Sequence, residues 1–295
     1  MFNIINKRAI FLSISAVVIL AGIIAMIICG GLNTDIDFTG GTAMQIDLGV
    51  PYDENGIREA LRDVEGVQLS AVQDIIDVDS EALIKMNVLT DEQRTAVTEA
   101  LKAKYEASQV LSVDDISATV GGELWANAAK SIIIAVILML LYITFRFELL
   151  SGLSAILALA HDLLVMMAIY AIFRFPVNTS FIAAMLTILG YSINATIVIF
   201  DRIRENTRFL KKEAFGDIVN KSIWQSMGRA VNTSVTTLLT IVMVYILGVP
   251  SIRDFALPLI IGIVAGTYSS IFIASQFWVL FKGKNSGKVA SKAKA

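Results

Sequence analysis

Six long apolar runs constrain this chain more than any other feature of its sequence. They cover Ile10 to Cys29, Ala128 to Phe145, Leu149 to Phe173, Thr179 to Phe200, Ala230 to Gly248 and Phe255 to Phe281. Each approaches or exceeds the ~20 residues that cross a ~30 Å hydrocarbon core at 1.5 Å per residue. Backbone polar groups in hydrocarbon must be satisfied within the segment, so such runs fold as helices. The expected fold is a polytopic α-helical membrane protein with six transmembrane helices. Lys7 and Arg8 precede the first run, as in a signal peptide. Its length and the following Gly30-Gly31, in place of a small-x-small cleavage site, make residues 1–30 an N-terminus with a retained span.

Charge is scarce and clustered. Asp, Glu, Lys and Arg make up 17% of the 295 residues, against ~25% in ordinary soluble proteins. Lys7 and Arg8, Arg146, the stretch from Arg202 to Lys221 and the tail from Lys282 to Lys294 fall on one set of connections; the short opposite loops hold Arg174 and Arg253. The excess of basic residues marks the cytoplasmic side. Both termini are therefore expected in the cytoplasm, with residues 31–127 outside and 282–295 as a basic cytoplasmic tail. The external connection carries 6 Lys/Arg against 19 Asp/Glu. No basic patch interleaved with aromatics points to nucleic acid. Cys29 stands alone, which excludes an intrachain disulfide and a thiolate metal cluster. The simplest reading of Cys29 is a small apolar residue in a packed helix.

The external connection has its own pattern. Thr42 to Leu48 alternates as a strand, and Asp53 to Val64 has helical spacing. Val67 to Val78 and Ala82 to Val88 read as strands joined by a turn at Asp77-Val-Asp-Ser80. Thr90 and Gln93 form a capping box for a helix reaching about Ala107, and Val110 to Val120 closes the series as a strand. The order β-α-β-β-α-β predicts a ferredoxin-like α+β domain between spans one and two. In the connection from Asp201 to Gly228, Phe215, Ile218, Val219, Ile223 and Met227 share one helical face, with Lys212, Asp217, Asn220 and Lys221 elsewhere. That segment is either an amphipathic helix against membrane lipid or a helix packed on the protein.

Ionisable groups inside spans are costly and mark pathways or pairs. His161 and Asp162 lie some 12 residues into the third run, and Arg229 opens the fifth; Arg229, Thr233, Thr236 and Thr240 share a face. Tyr191, Ser192, Asn194 and Thr196 make the fourth span polar as well. One reading is a hydrated ion path with His161 and Asp162 protonatable and Arg229 a fixed positive charge. The other is structural: His161 pairs with Asp162 to fix packing, and Arg229 snorkels to headgroups. Adjacent in a helix, His161 and Asp162 point in different directions and make no metal site. Gly40-Gly41 lacks the Gly-Lys-Ser/Thr of a phosphate cradle, and no enzymatic or cofactor-binding constellation is present. Gly262, Gly266, Ser270 and Ala274 form a stripe for close helix approach.

Three motifs carry a family resemblance. Asp35-Ile-Asp37-Phe38-Thr39-Gly40-Gly41-Thr42 resembles the signature of the SecD/SecF family of bacterial protein export. Gly190-Tyr-Ser-Ile-Asn194-Ala-Thr-Ile-Val-Ile-Phe-Asp201-Arg202-Ile-Arg204-Glu205-Asn206 resembles the fourth-span signature of its SecF branch. Gly228-Arg-Ala-Val-Asn-Thr-Ser234 and Ala160-His-Asp162 continue the match. The family belongs to the resistance-nodulation-division superfamily, in which two six-helix halves face each other. The resemblance implies an accessory subunit that acts with SecD on the SecY-SecE-SecG channel and its SecA motor. It would promote preprotein export from the proton gradient, or another ion gradient, in the bacterial cytoplasmic membrane. It implies an ion-relay role for Arg229, while the fourth-span Asp of many relatives is here Ala195, between Asn194 and Thr196. The carboxylate of the other half, its pKa lowered by Arg229, is then expected to carry the proton, with a share for Asp162 and coupling that is weak or to another ion as the open alternatives. A small-molecule or lipid efflux half and a non-conducting scaffold are the alternatives. For Gly40-Gly41 the expectation is backbone freedom at a domain hinge.

Overall fold

A computed structural model describes residues 3–75, 78–146, 148–210 and 213–282. Part of the turn expected at Asp77, Lys212 of the amphipathic segment and the tail from Gly283 lie outside the described residues. Among the described residues, six helices are long and apolar enough to cross a membrane. They are α1 (Arg8–Ile28), α5 (Ala118–Arg146), α6 (Leu149–Phe173), α7 (Thr179–Phe209), α8 (Phe215–Leu247) and a last span covering Ile252–Lys282. The last span opens as α9 (Pro250–Ser269) and passes through a π-helical turn at Ser270–Ala274. The chain is a polytopic helical protein with the composition of a membrane protein.

Between α1 and α5 lie a short helix α2 (Ile36–Thr39) and a sheet with two helices. The strands are β1 (Gly41–Asp47), β2 (Leu69–Asp74), β3 (Glu81–Met86) and β4 (Gln109–Ile116), with α3 (Glu54–Leu61) after β1 and α4 (Asp91–Lys104) after β3. The spatial order is β2-β3-β1-β4 and every pair is antiparallel. Alternation puts Met44 and Ile46 of β1 beside Ile84 and Met86 of β3, against Ile57 and Leu61 of α3 and Val97 and Leu101 of α4. The capping box is present: Thr90 accepts from the Gln93 amide, and the Gln93 side chain accepts from the Thr90 amide. Outside the spans, ion pairs and turns set local charge. The Tyr52 hydroxyl is pushed up mainly by burial, helped by its 2.7 Å hydrogen bond to Asp74. Asp47 is held below the ordinary carboxylate range, chiefly by the Gly49 amide 2.8 Å away.

The six long helices divide by burial. Between 39% and 61% of the most apolar stretch is buried in α6, α7 and the last span, against 6% to 11% in α1, α5 and α8. The first three form the centre. The other three turn wide apolar faces outward, as lipid-facing helices do. α1 packs on α6, α7 on α9, and α8 on both α7 and α9. The glycine stripe acts as its spacing suggests: a Cβ at Gly262 would stand 2.4 Å from the Ile188 side chain, and one at Gly266 3.0 Å from Ser192.

Three boundaries differ from the sequence reading. α5 starts at Ala118, so residues 118–127 are helix rather than strand end and connection. The Ser117 hydroxyl accepts from the Val120 amide at its start, and Gly121 lies against the Phe38 carbonyl. α7 runs past Phe200 to Phe209, because Ile203 and Asn206 stay buried. The amphipathic segment 201–228 is not a separate helix at the interface. Ile218 is buried, Val219 and Ile223 pack with Ile4, Phe200, Ile203 and Trp278, and the segment continues into the span as the start of α8.

Candidate functional site

The polar residues of the spans separate into two groups. In the first, Asp162 is completely buried in the middle of α6. Its Oδ2 accepts from Ser192 of α7 at 2.6 Å and from Ser269 of α9 at 2.9 Å, while Oδ1 lies 3.0 Å from His161 Nδ1. Neighbours in sequence, the two side chains nevertheless reach each other. His161 Nε2 is 2.8 Å from the Ser15 hydroxyl of α1. With its proton on Nδ1, the ring donates to Asp162 and accepts from Ser15. Tyr268 stacks on the ring at 6.1 Å, with its hydroxyl donating to the Phe11 carbonyl at 2.8 Å. One carboxylate thus joins α1, α6, α7 and α9. Three hydrogen-bonding partners offset the desolvation that makes an isolated buried carboxylate so costly.

The second group lies on another face. Asn194, Arg229 and Thr233 are exposed, and with Tyr191, Ala195 and Ser234 they line a cleft of about 120 Å³ between α7 and α8. Arg229, Thr233, Thr236 and Thr240 continue as a ladder in which each threonine hydroxyl donates to a carbonyl a turn earlier. The structure does not bring His161 and Asp162 to this cleft. Among the described residues, the single path in which His161, Asp162 and Arg229 would act together is therefore not formed. Asn194 of α7 and Arg229 and Thr233 of α8 face outward, while Ser192 and Thr196 of α7 point into the bundle and Asp162 is enclosed within this chain by the serines of α7 and α9.

The glycine-rich motif after α1 is a packed joint. Asp37 Oδ2 accepts from the amide and hydroxyl of Thr179, at 2.9 and 2.7 Å, at the start of α7. Phe38 meets Trp125 of α5 edge-to-face at 5.2 Å, and the Thr39 hydroxyl donates to the Asp35 carbonyl at 3.2 Å. Gly40 adopts a φ of +78°, a region that favours glycine, and Gly41 lies where a Cβ would strike the Met86 carbonyl at 2.4 Å. Asp35 pairs with Lys85 of β3, and Asp254 at the start of the last span accepts from Gln73 of β2 at 3.3 Å and Asn178 at 3.0 Å. Lys85, Gln73, Asn178 and Asp254 escaped the sequence reading. Only their convergence from distant segments marks them.

At the opposite end, the last turns of α7 clasp α8. Arg202 donates to Gln225 at 2.7 Å and to Glu205 at 2.6 Å, and Asn206 donates to Ser222 and Gln225, both at 2.8 Å. Asp201 is exposed and Arg204 half-buried.

Residues 96–284 match the family model for the C-terminal part of protein export membrane protein SecD/SecF. The chain is 38% identical over 288 residues to the protein translocase subunit SecF of Acidaminococcus fermentans, covering 96% of this chain and 98% of that one. It is 37% identical over 284 residues to the protein translocase subunit SecDF of Thermus thermophilus, covering 95% of this chain but 38% of that longer one. A crystal structure of SecDF, described as a translocon-associated membrane protein from a Thermus, superposes with a TM-score of 0.81 at 34% identity, over 96% of this chain and 39% of that one. A second, in a super-membrane-facing form, gives a TM-score of 0.73 at 35% identity, over 99% and 40%. The chain belongs to the SecD/SecF family of protein export membrane proteins.

Proposed function

We propose that this chain is an accessory subunit of the Sec protein translocase that works as one half of a two-part membrane machine. The observation that carries the reading is the outward polar face of α7 and α8, with Arg229, Asn194 and Thr233 exposed on helices long enough to span a membrane. Such a face is costly against lipid, so another set of helices covers it. A SecD-type partner is the natural cover, since relatives exist in which a region matching this chain occupies about two fifths of a longer SecDF polypeptide. Both termini lie in the cytoplasm of a bacterial cell, and residues 31–117, up to the start of α5, form an external, ferredoxin-like domain that handles preprotein near the SecY-SecE-SecG channel and SecA. In favour of that fold stand the alternation of two helices with four strands and the antiparallel order with β1 and β3 in the middle.

Ion movement, most simply of protons, drives the cycle across the α7–α8 cleft. Ala195 carries no proton, so the titrating carboxylate comes from the partner, and Arg229 favours its ionised form. Asp162, enclosed by its serines, is a structural knot rather than a relay. Reconstituting the chain with its partner and the channel in vesicles tests this. Arg229→Leu, with assembly retained, abolishes gradient-dependent export and ion flux on this reading. Unchanged flux would favour a second reading, a non-conducting scaffold, for which Ala195 is the specific observation.

A further inference from the structure

A cleft of about 450 Å³ opens at the end of the helical bundle opposite the sheet, where α5, α6, α7 and the last span finish or begin. Its walls gather charge that the translocation reading leaves unused. Arg146 closes α5, Arg204 and Arg208 stand four residues apart near the end of α7, and Lys282 ends the last span. Glu148 is the one carboxylate among the lining residues, and Lys282 Nζ lies 3.6 Å from its Oε2. Lys282 also sits 4.4 Å over the Phe215 ring and 5.8 Å from the Trp278 ring, which fixes its charge at the rim. Basic residues needed only to set topology would fan out into water. Four cations drawn from three helices into one concavity, against one anion, form instead a focused positive site.

Two neighbours give the cleft a second character. Trp278 lines it with 4% of its surface exposed, and its buried indole N–H has no acceptor among the described residues. Phe145, next to Arg146, is 94% exposed at the end of a lipid-facing helix. A cationic cradle between helix ends with an aromatic rim at membrane level matches a ligand that is anionic at one end and apolar at the other. Basic pockets between spans at the cytoplasmic face bind anionic headgroups in this way.

We propose that this cleft binds the phosphate headgroup of an anionic phospholipid, with Arg204 and Arg208 on the phosphate and Phe145 beside the root of an acyl chain. The proposal rests on reading the helices as spans with this end cytoplasmic. It gives Arg204, within the last turns of α7, a role separate from the α7–α8 clasp made by Arg202 and Asn206.

The full-length chain in a neutral detergent would be titrated with short-chain phosphatidylglycerol, the matching phosphatidylcholine and inorganic phosphate, following intrinsic tryptophan fluorescence. Saturable phosphatidylglycerol binding is expected, with phosphatidylcholine at least about tenfold weaker. The double substitution Arg204→Gln with Arg208→Gln is expected to weaken phosphatidylglycerol about 25-fold, since each basic residue near the headgroups contributes ~1 kcal/mol, or about fivefold. If the double variant does not fold, Lys282→Gln at the rim is expected to cost about fivefold, and Arg58→Gln in α3 nothing. Inorganic phosphate binding as tightly as the lipid would overturn the proposal in favour of a soluble phosphate ligand. Displacement of the lipid by an acidic peptide at equal concentration would overturn it in favour of a protein partner. Unchanged lipid affinity in the arginine and lysine variants would overturn it outright. Export and ion flux are separate readouts, so failure here leaves the translocase reading standing.

Discussion

Lys85 Nζ lies 2.6 Å from Asp35 Oδ2, an ion pair that ties the middle of the sheet to the segment leaving the first span, with 11% and 3% of the two side chains exposed. Asp35 is doubly held, since its Oδ1 accepts from the Ile36 amide at 2.8 Å and caps α2. The segment around it is fixed to the loop between α6 and α7 as well, because the Asp35 amide donates to the Val177 carbonyl at 2.9 Å. A pair this buried returns little net stability while intact, yet breaking it strands a charge.

Lys85→Met is therefore expected to destabilise the protein by about 3–5 kcal/mol, by leaving Asp35 buried without its partner. The double variant Lys85→Met with Asp35→Asn should recover a large part of that loss. Thermal unfolding in detergent, followed by fluorescence, measures both. Equal melting temperatures for the single and double variants would rule out a coupled pair.

The glycine stripe gives a second prediction. At Gly262 a methyl group would meet three atoms of the Ile188 side chain within 3.0 Å, whereas at Gly266 the nearest atoms, in Ser192, are at 3.0 Å. Gly262→Ala should thus cost about 1–3 kcal/mol through overpacking, and Gly266→Ala less. Melting temperatures of the two variants check the order.

The external pairs predict a pH profile. Glu59 is held below the ordinary carboxylate range by its hydrogen bond from Lys104 at 2.5 Å and by that charge, and the same bond raises Lys104. Glu59 therefore contributes stability above its unfolded pKa, and that contribution disappears as pH falls through its lowered folded value. The Lys104 contribution is complete below its unfolded pKa and disappears as pH rises through its raised folded value. Between those limits the pair contributes a constant amount. Replacing Glu59 by Gln should leave a melting-temperature deficit at pH 7 that closes on acidification below about pH 4, near the unfolded carboxylate value. A deficit independent of pH would assign the effect to packing alone.

The span count, the helix–strand alternation outside the bundle and the capping box were legible because each is written in contiguous residues. Apolar length fixes a span, and period-two burial in β1 fixes a strand face. The course of α8 was not legible. Its first three turns carry the same pattern whether their apolar face meets lipid or protein, and only the partners Ile4, Phe200 and Trp278 decide. The same holds for Asp162. Its sequence neighbourhood reads equally as a relay or a knot, and the difference lies in Ser192 and Ser269, 30 and 107 residues away. The π-helical turn that follows Ser269 likewise leaves no signature in the local residues.

The knot can be tested through its serines. Ser192→Ala and Ser269→Ala each remove one of the two hydroxyl donors to Asp162 Oδ2, and each should cost about 1–3 kcal/mol as the buried oxygen loses a partner. The two losses should be non-additive, because both act on one oxygen. Asp162→Asn should lower the melting temperature without abolishing gradient-dependent export once assembled. Loss of ion flux with undiminished stability would instead make Asp162 a relay group.

The cleft between α7 and α8 offers the last prediction. Ala195 and Arg229 line the same small space, and Asn194, Thr233 and Ser234 supply its polar walls. Of these only Arg229 is charged, so a carboxylate placed there meets one cation at short range in a setting where Coulomb attraction is little screened. Ala195→Asp should therefore be tolerated, with its carboxyl held ionised by the guanidinium, and should add a protonatable group to the path. In reconstituted vesicles with the partner half, the expected order of gradient-dependent ion flux is Ala195→Asp at or above the parent, with Arg229→Leu far below it. Combining the two should fall to the Arg229→Leu level, since the new carboxylate then faces no cation and takes up its proton permanently. Equal flux in all four proteins would place ion movement away from this cleft.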